Sequence, residues 1–196
     1  MKSTDKSLEK DLIRSYLDGN LSSLQKLIKK YENRLFSYIF MLVKDKQLAD
    51  DIFQDTFIKV INTLNSGRYK DEGKFIQWTM RIAHNLVIDH FRKSKKVSFV
   101  ESRYDSSDIF DNLFVSDDSV EDRMVVNQIH RDVKKLMNNL ADDQREVLYL
   151  RCYAGLSFKE IAEQTDVSIN TALGRMRYAL INIRKMIDEK NLVLTT

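Results

Sequence analysis

Residues Leu156 to Lys185, LSFKEIAEQTDVSINTALGRMRYALINIRK, constrain the fold more than any other stretch of the chain. Apolar residues recur there at helical spacing, stop once at Thr165-Asp166-Val167, and resume. Phe158, Ile161 and Ala162 stand at i, i+3, i+4, which predicts a short helix with one buried face while Lys159, Glu160 and Glu163 stay in water. Ser168 is a good N-cap whose hydroxyl can accept from the Thr171 N–H, so a second helix is expected to begin there. That helix would offer Asn170, Thr171, Gly174, Arg175 and Arg177 to a major groove. The pattern is a helix-turn-helix and points to duplex DNA. An ordinary helical hairpin with a solvated basic face has the same spacing, so other parts of the chain must decide.

Composition extends the helical reading to the whole molecule. The 196 residues include no proline and five glycines, with few alternating β-branched runs, which predicts an all-α fold. The single cysteine, Cys152, can form no internal disulfide and no thiolate metal cage; its apolar neighbours Val147, Leu148 and Leu150 suggest a core position. No apolar run approaches ~20 residues and MKSTDKSLEKDL has no signal-like apolar region, so a cytoplasmic protein without a membrane span is expected.

Charge is unevenly placed. Met1–Lys96 carries 19 Lys+Arg against 12 Asp+Glu, Val97–Met124 carries 2 against 8, and Val125–Thr196 carries 11 against 9. An acidic strip thus separates two basic blocks, which suits a chain whose ends meet phosphate. Residues 1–96 read as one helical bundle. Its expected helices are Ser7–Leu17, Leu21–Lys44, Gln47–Leu64 and Phe75–Lys96, the last with Phe75, Trp78, Ile82, Leu86 and Phe91 inward. Residues 97–118 lose helical period, are rich in Ser and Asp, and read as an acidic flexible linker that also carries Phe99, Tyr104, Phe110 and Phe114. Ser119–Asp122 opens a second helical domain, 119–196. Val125, Ile129, Val133, Leu136 and Leu140 form its first stripe, Asp142-Asp143 starts the next helix, and a four-helix unit closes around the helix-turn-helix.

The first bundle has a basic end of its own. Arg81, His84, Asn85, Asp89, His90, Arg92 and Lys93 mix cations with amide and imidazole groups beside aromatics. Arg and Lys supply affinity for phosphate, and an Asn can hydrogen-bond the edge of an unstacked base. The linker can extend roughly 70 Å at ~3.3 Å per residue, about two turns of B-DNA at ~34 Å each, so one chain can reach two separate DNA elements.

With these residues in view, the chain resembles bacterial RNA polymerase sigma factors of the extracytoplasmic-function group of the sigma-70 family. LADDIFQDTFIKVI resembles the helix that holds the polymerase β′ clamp, FIQWTMRIAHNLVIDHFRK the minus-ten-element helices, and LSFKEIAEQTDVSINTALGRMRYAL the minus-thirty-five-element reader. The resemblance implies polymerase contacts at Asp51, Gln54, Asp55 and Phe57. It places Asn85 at the pocket for a flipped minus-ten base, with Arg81, His84, Arg92 and Lys93 beside it. In the second domain it implies DNA contacts from Ser168, Asn170, Thr171, Leu173, Gly174, Arg175 and Arg177. Leu173 and Gly174 depart from the commoner basic residue and serine, and Leu173 can instead meet a thymine methyl. The implied partners are core RNA polymerase through its β′ clamp and β flap, promoter DNA, and an anti-sigma protein. The linker resembles the segment threaded toward the polymerase RNA channel.

Two other classes compete. A free-standing helix-turn-helix regulator would dimerise on a palindrome and would leave the N-terminal bundle without a task. A metal-dependent nuclease built on Asp50, Asp51 and Asp55 has two acids on one helical face but no further convergent ligand; His84 and His90 do not share a face. No enzyme activity, metal or cofactor is therefore expected.

Overall fold

The computed structural model describes residues 2–94, 133 and 135–190. The chain divides into two compact units, Met1–Tyr104 and Asp105–Thr196, and the described residues form helices and connecting turns with no strand. The expected linker 97–118, the capping box at Ser119–Asp122, and Val125 and Ile129 lie outside the described residues.

Unit 1 contains α1 (Lys2–Leu17), α2 (Leu21–Val43), α3 (Lys46–Asn65) and α4 (Phe75–Ser94). Local chemistry sets the borders. Gly19 takes φ +100 after α1, and Asn20 caps α2 by accepting from the Ser22 N–H at 3.1 Å. Lys44 turns left-handed at φ 55 to end α2, and Asp45 caps α3 through the Leu48 N–H at 3.1 Å. Helix α2 is the hub: it packs against α1, α3 and α4, while α3 also packs on α4. Leu27, Leu35, Tyr38, Ile39, Val60, Leu64, Phe75 and Met80 form its dry centre. Two polar ties cross that core. Glu9 of α1 is buried and accepts from the Tyr31 hydroxyl and, at 3.3 Å, from Lys30, while the Tyr38 hydroxyl meets His84 Nδ1 at 3.0 Å.

The inward face of α4 differs from the one expected. Phe75, Ile76, Thr79, Met80, Ala83, His84 and Val87 are buried, whereas Trp78, Ile82 and Leu86 are half-buried and Phe91 is exposed. Trp78, Ile82 and Leu86 mark one edge of the buried arc. Its middle mixes Phe75, Met80 and Val87 with small and polar residues that find partners, as Thr79 does by donating to the Phe75 carbonyl at 2.9 Å.

Unit 2 contains helical residues at 135–138, then α5 (Asp142–Cys152), α6 (Phe158–Gln164) and α7 (Ile169–Glu189). Helix α5 begins at the two aspartates as expected, with acids where the helix dipole favours them. Its Val147, Leu148, Tyr149 and Leu150 join Leu136, Leu140, Leu156 and Ile161 in the core. Arg151 pins the α5–α6 turn by donating to the Leu156 carbonyl at 2.8 Å and lying over the Phe158 ring at 5.0 Å. Cys152 is exposed, against the core position expected of it, because it falls on the last turn of α5 just past the buried run. Partial burial still raises its thiol pKa, which Arg151 opposes, and burial followed by the neighbouring Cys152 pushes the Tyr153 phenol up to about 12.

Candidate nucleic-acid interface

The α6–α7 hairpin is built by two caps and one left-handed residue. Ser157 and Glu160 form a reciprocal capping box: the Glu160 carboxylate accepts from the Ser157 N–H at 2.8 Å, and Ser157 Oγ accepts from the Glu160 N–H at 3.3 Å. The S-x-x-E spacing signals this box in the sequence, a cue that the apolar period does not carry. Asp166 takes φ 52, a conformation that a short polar side chain tolerates, and the Val167 N–H bonds the Ala162 carbonyl at 3.0 Å. Ser168 then caps α7, accepting from the Thr171 N–H at 3.0 Å as expected. Ile161 and Ala162 are buried, and Phe158 is half-buried beneath Arg151.

Helix α7 rests on Ala172 and Ala179, whose small side chains allow close packing on α5 and α6. Its seat is tied at the edge by polar contacts to the start of α5: Arg175 Nε lies 3.0 Å from an Asp143 carboxylate oxygen, and Asn182 donates to Gln144 at 2.9 Å. Arg175 is thereby turned toward α5, on the flank of the outward face, because its helical position adjoins the buried arc. Ser168, Asn170, Thr171, Leu173 and Arg177 are exposed and Gly174 is half-exposed. Tyr178, 61% exposed, shares this face and was missed; its place four residues after Gly174 was the available signal. Gly174 costs the helix about 1 kcal/mol relative to alanine.

On unit 1, α4 turns Arg81, Asn85 and Arg92 outward along one face, with the exposed Ile88 between them and Lys93 adjoining. Arg92 pairs with Asp89 at 2.9 Å, an exposed contact of small energetic value. His84 does not join this face. It is 7% exposed and occupied by Tyr38 across the core, which corrects its expected DNA contact. Trp78 stands 4.5 Å from Tyr69, whose buried hydroxyl has no hydrogen-bond partner among the described residues. Burial, with the negative charges of Asp71, Glu9 and Glu72, holds that phenol protonated well above its ordinary range.

Helix α3 presents a third surface. Asp51, Gln54 and Asp55 are exposed at i, i+3, i+4, with the exposed Ile58 one turn on. Phe57 is 6% exposed and packs edge-on against Phe53 at 5.0 Å, so the structure places it in the core and removes it from the surface set. Among the described residues no three His, Cys, Asp or Glu side chains converge on a metal-sized site, and no helix is long and apolar enough to cross a membrane.

Of the two helical units, one thus bears a helix-turn-helix and the other a basic face around an outward asparagine. Residues 27–97 match the sigma-70 region 2 family and residues 130–177 the sigma-70 region 4 family. The chain is 24% identical over 177 residues to the ECF RNA polymerase sigma factor SigK of Mycobacterium ulcerans, covering 90% of this chain and 92% of that protein. It is 28% identical over 177 residues to RNA polymerase sigma factor CarQ of Myxococcus xanthus, covering 90% and 96%. Its fold is similar to that of the sigma factor RpoE of Bartonella quintana, solved in complex with the anti-sigma factor NepR. The TM-score is 0.58 at 20% identity, over 86% of this chain and 98% of that one. The chain belongs to the sigma-70 family of RNA polymerase sigma factors, in its extracytoplasmic-function group.

Proposed function

We propose that this sigma factor directs core RNA polymerase to promoters by dividing the work among three surfaces. The acidic face of α3, with Asp51, Gln54 and Asp55, docks on the β′ clamp. The α4 face captures the minus-ten element: Arg81, Arg92 and Lys93 hold phosphates, and the Asn85 amide hydrogen-bonds an unpaired base. Extruding that base costs a few kcal/mol, which phosphate contacts and the polymerase offset. Helices α6 and α7 read the minus-thirty-five duplex through Ser168, Asn170, Thr171, Leu173, Gly174 and Arg177, with Arg175 at the edge of that surface and the β flap as the polymerase partner of unit 2. No chemical step is assigned to the chain. It works in the cytoplasm, and an anti-sigma protein is a further partner, supported by the complex in which RpoE was solved.

The observation that carries this reading is the presence of two outward basic surfaces on two separately packed units of one chain. A free-standing regulator would need only the second. Transcription from a promoter library by core polymerase of the source bacterium, with and without the protein, tests the proposal. Start sites that require the protein and share two spaced upstream elements are expected. A chain with Asp51→Lys and Asp55→Lys should lose them while keeping its helical content and melting temperature. Tight duplex binding with no new transcripts would favour the free-standing regulator.

A further inference from the structure

Gly174 stands in the interior of α7 with an ordinary helical backbone, and a methyl group added there would meet nothing within 4 Å. The residues that surround it on the helix surface, Asn170, Thr171, Arg177 and Tyr178 at i−4, i−3, i+3 and i+4, are all exposed. Neither internal packing nor backbone conformation requires a glycine at this position, and helix propensity opposes it. The remaining physical use of a missing side chain is close approach by a body outside the protein. An α-helix with its side chains measures about 10–12 Å across and the major groove is about 12 Å wide, so a helix seated there has almost no slack.

We propose that Gly174 is the point of closest approach between α7 and a DNA duplex, and that it determines which base pairs are read. The flat spot lets the backbone of α7 settle deep in the groove. Asn170 and Arg177 then reach base edges from a nearer position, and Leu173 and Tyr178 close the two sides. This rests on the assignment of α6–α7 as the duplex reader.

The test uses the full chain with core polymerase, selecting from duplexes randomised across the upstream element, for the wild type and for Gly174→Ala and Gly174→Ser. Gly174→Ala should melt about 4 °C higher. It should bind the wild-type selected sequence about tenfold more weakly and select a different or less defined sequence, an effect the size of one lost base contact. Gain in stability with loss of binding is a combination that a purely structural glycine would not give. If both variants bind the same sequence as tightly as wild type, the Gly174 assignment is overturned while the duplex reader stands. If the wild type itself selects no upstream sequence, the reader falls and the assignment falls with it.

Discussion

Helix α4 in unit 1 and helix α7 in unit 2 both turn a basic and amide-bearing face to solvent, but they are held in place by different means. Helix α4 is seated by a broad buried arc that runs from Phe75 to Val87, and a hydrogen bond inside the core fixes His84 to Tyr38. Helix α7 is seated by two fully buried alanines, with Met176, Ile183, Met186 and Ile187 only half-buried beside them, and by polar ties at its margin, Arg175 to Asp143 and Asn182 to Gln144. In the first case the holding face and the outward face are separate. In the second they meet at Arg175, so whatever disturbs the seat of α7 also disturbs what it presents. A helix held by apolar burial tolerates changes in salt, whereas one trimmed by partly exposed ion pairs shifts with it.

The strongest way to break the comparison is Met80→Ala, which removes a fully buried side chain from the inner face of α4. A loss of about 3 kcal/mol in the denaturant unfolding of unit 1 is expected. A cost below that of a typical surface substitution would show that apolar burial does not seat this helix. Next in size is Ala179→Leu on α7, where over-filling the close contact with α5 and α6 should cost about 2 kcal/mol. Full tolerance of the leucine would mean that α7 has room beneath it, and that close packing over small residues is the wrong description.

Asn85→Ala sharpens the functional side. Because Asn85 is exposed and away from the buried arc, unfolding should change by less than about 0.5 kcal/mol. Promoter opening at particular minus-ten sequences should fall about tenfold, the worth of one good base contact. Permanganate footprinting over a set of minus-ten variants reads this out, and unchanged selectivity would remove Asn85 from the reader. The smallest effect belongs to the Arg175–Asp143 pair. A double-mutant cycle with Arg175→Ala and Asp143→Ala should give a coupling of about 0.5 kcal/mol that shrinks as salt rises. A coupling that ignores salt would place the pair in a drier setting than its partial exposure indicates.

Periodicity and capping chemistry made much of the fold legible. The start of α5 at Asp142, the Ser168 cap and the turn at Thr165-Asp166-Val167 are short-range features, set by residues that touch within three or four positions. Errors arose where a side chain's fate depends on another helix. His84 stands between Arg81 and Asn85 in the sequence and reads with them as a surface group until Tyr38 is brought to it from α2. Phe57 lies on the side of α3 that helical period turns inward, with Phe53 and Val60, and its burial bears that period out against the polymerase contact that the resemblance implied. Cys152 follows an apolar run and reads as core, yet the helix ends there and leaves it outside.

By itself the sequence determined that this chain is helical throughout its described parts, most of its expected helix borders to within a residue, and that one pair forms a helix-turn-helix, because helix period and end-capping are local properties of neighbouring residues; α1 departs from this, beginning at Lys2, five residues before the Ser7 expected of it. The tertiary structure alone decided which arc of each helix is buried. Exposure is set by what packs against a helix, and the choice between Trp78 and Met80, or between Arg175 and Arg177, is made by partners distant in the chain.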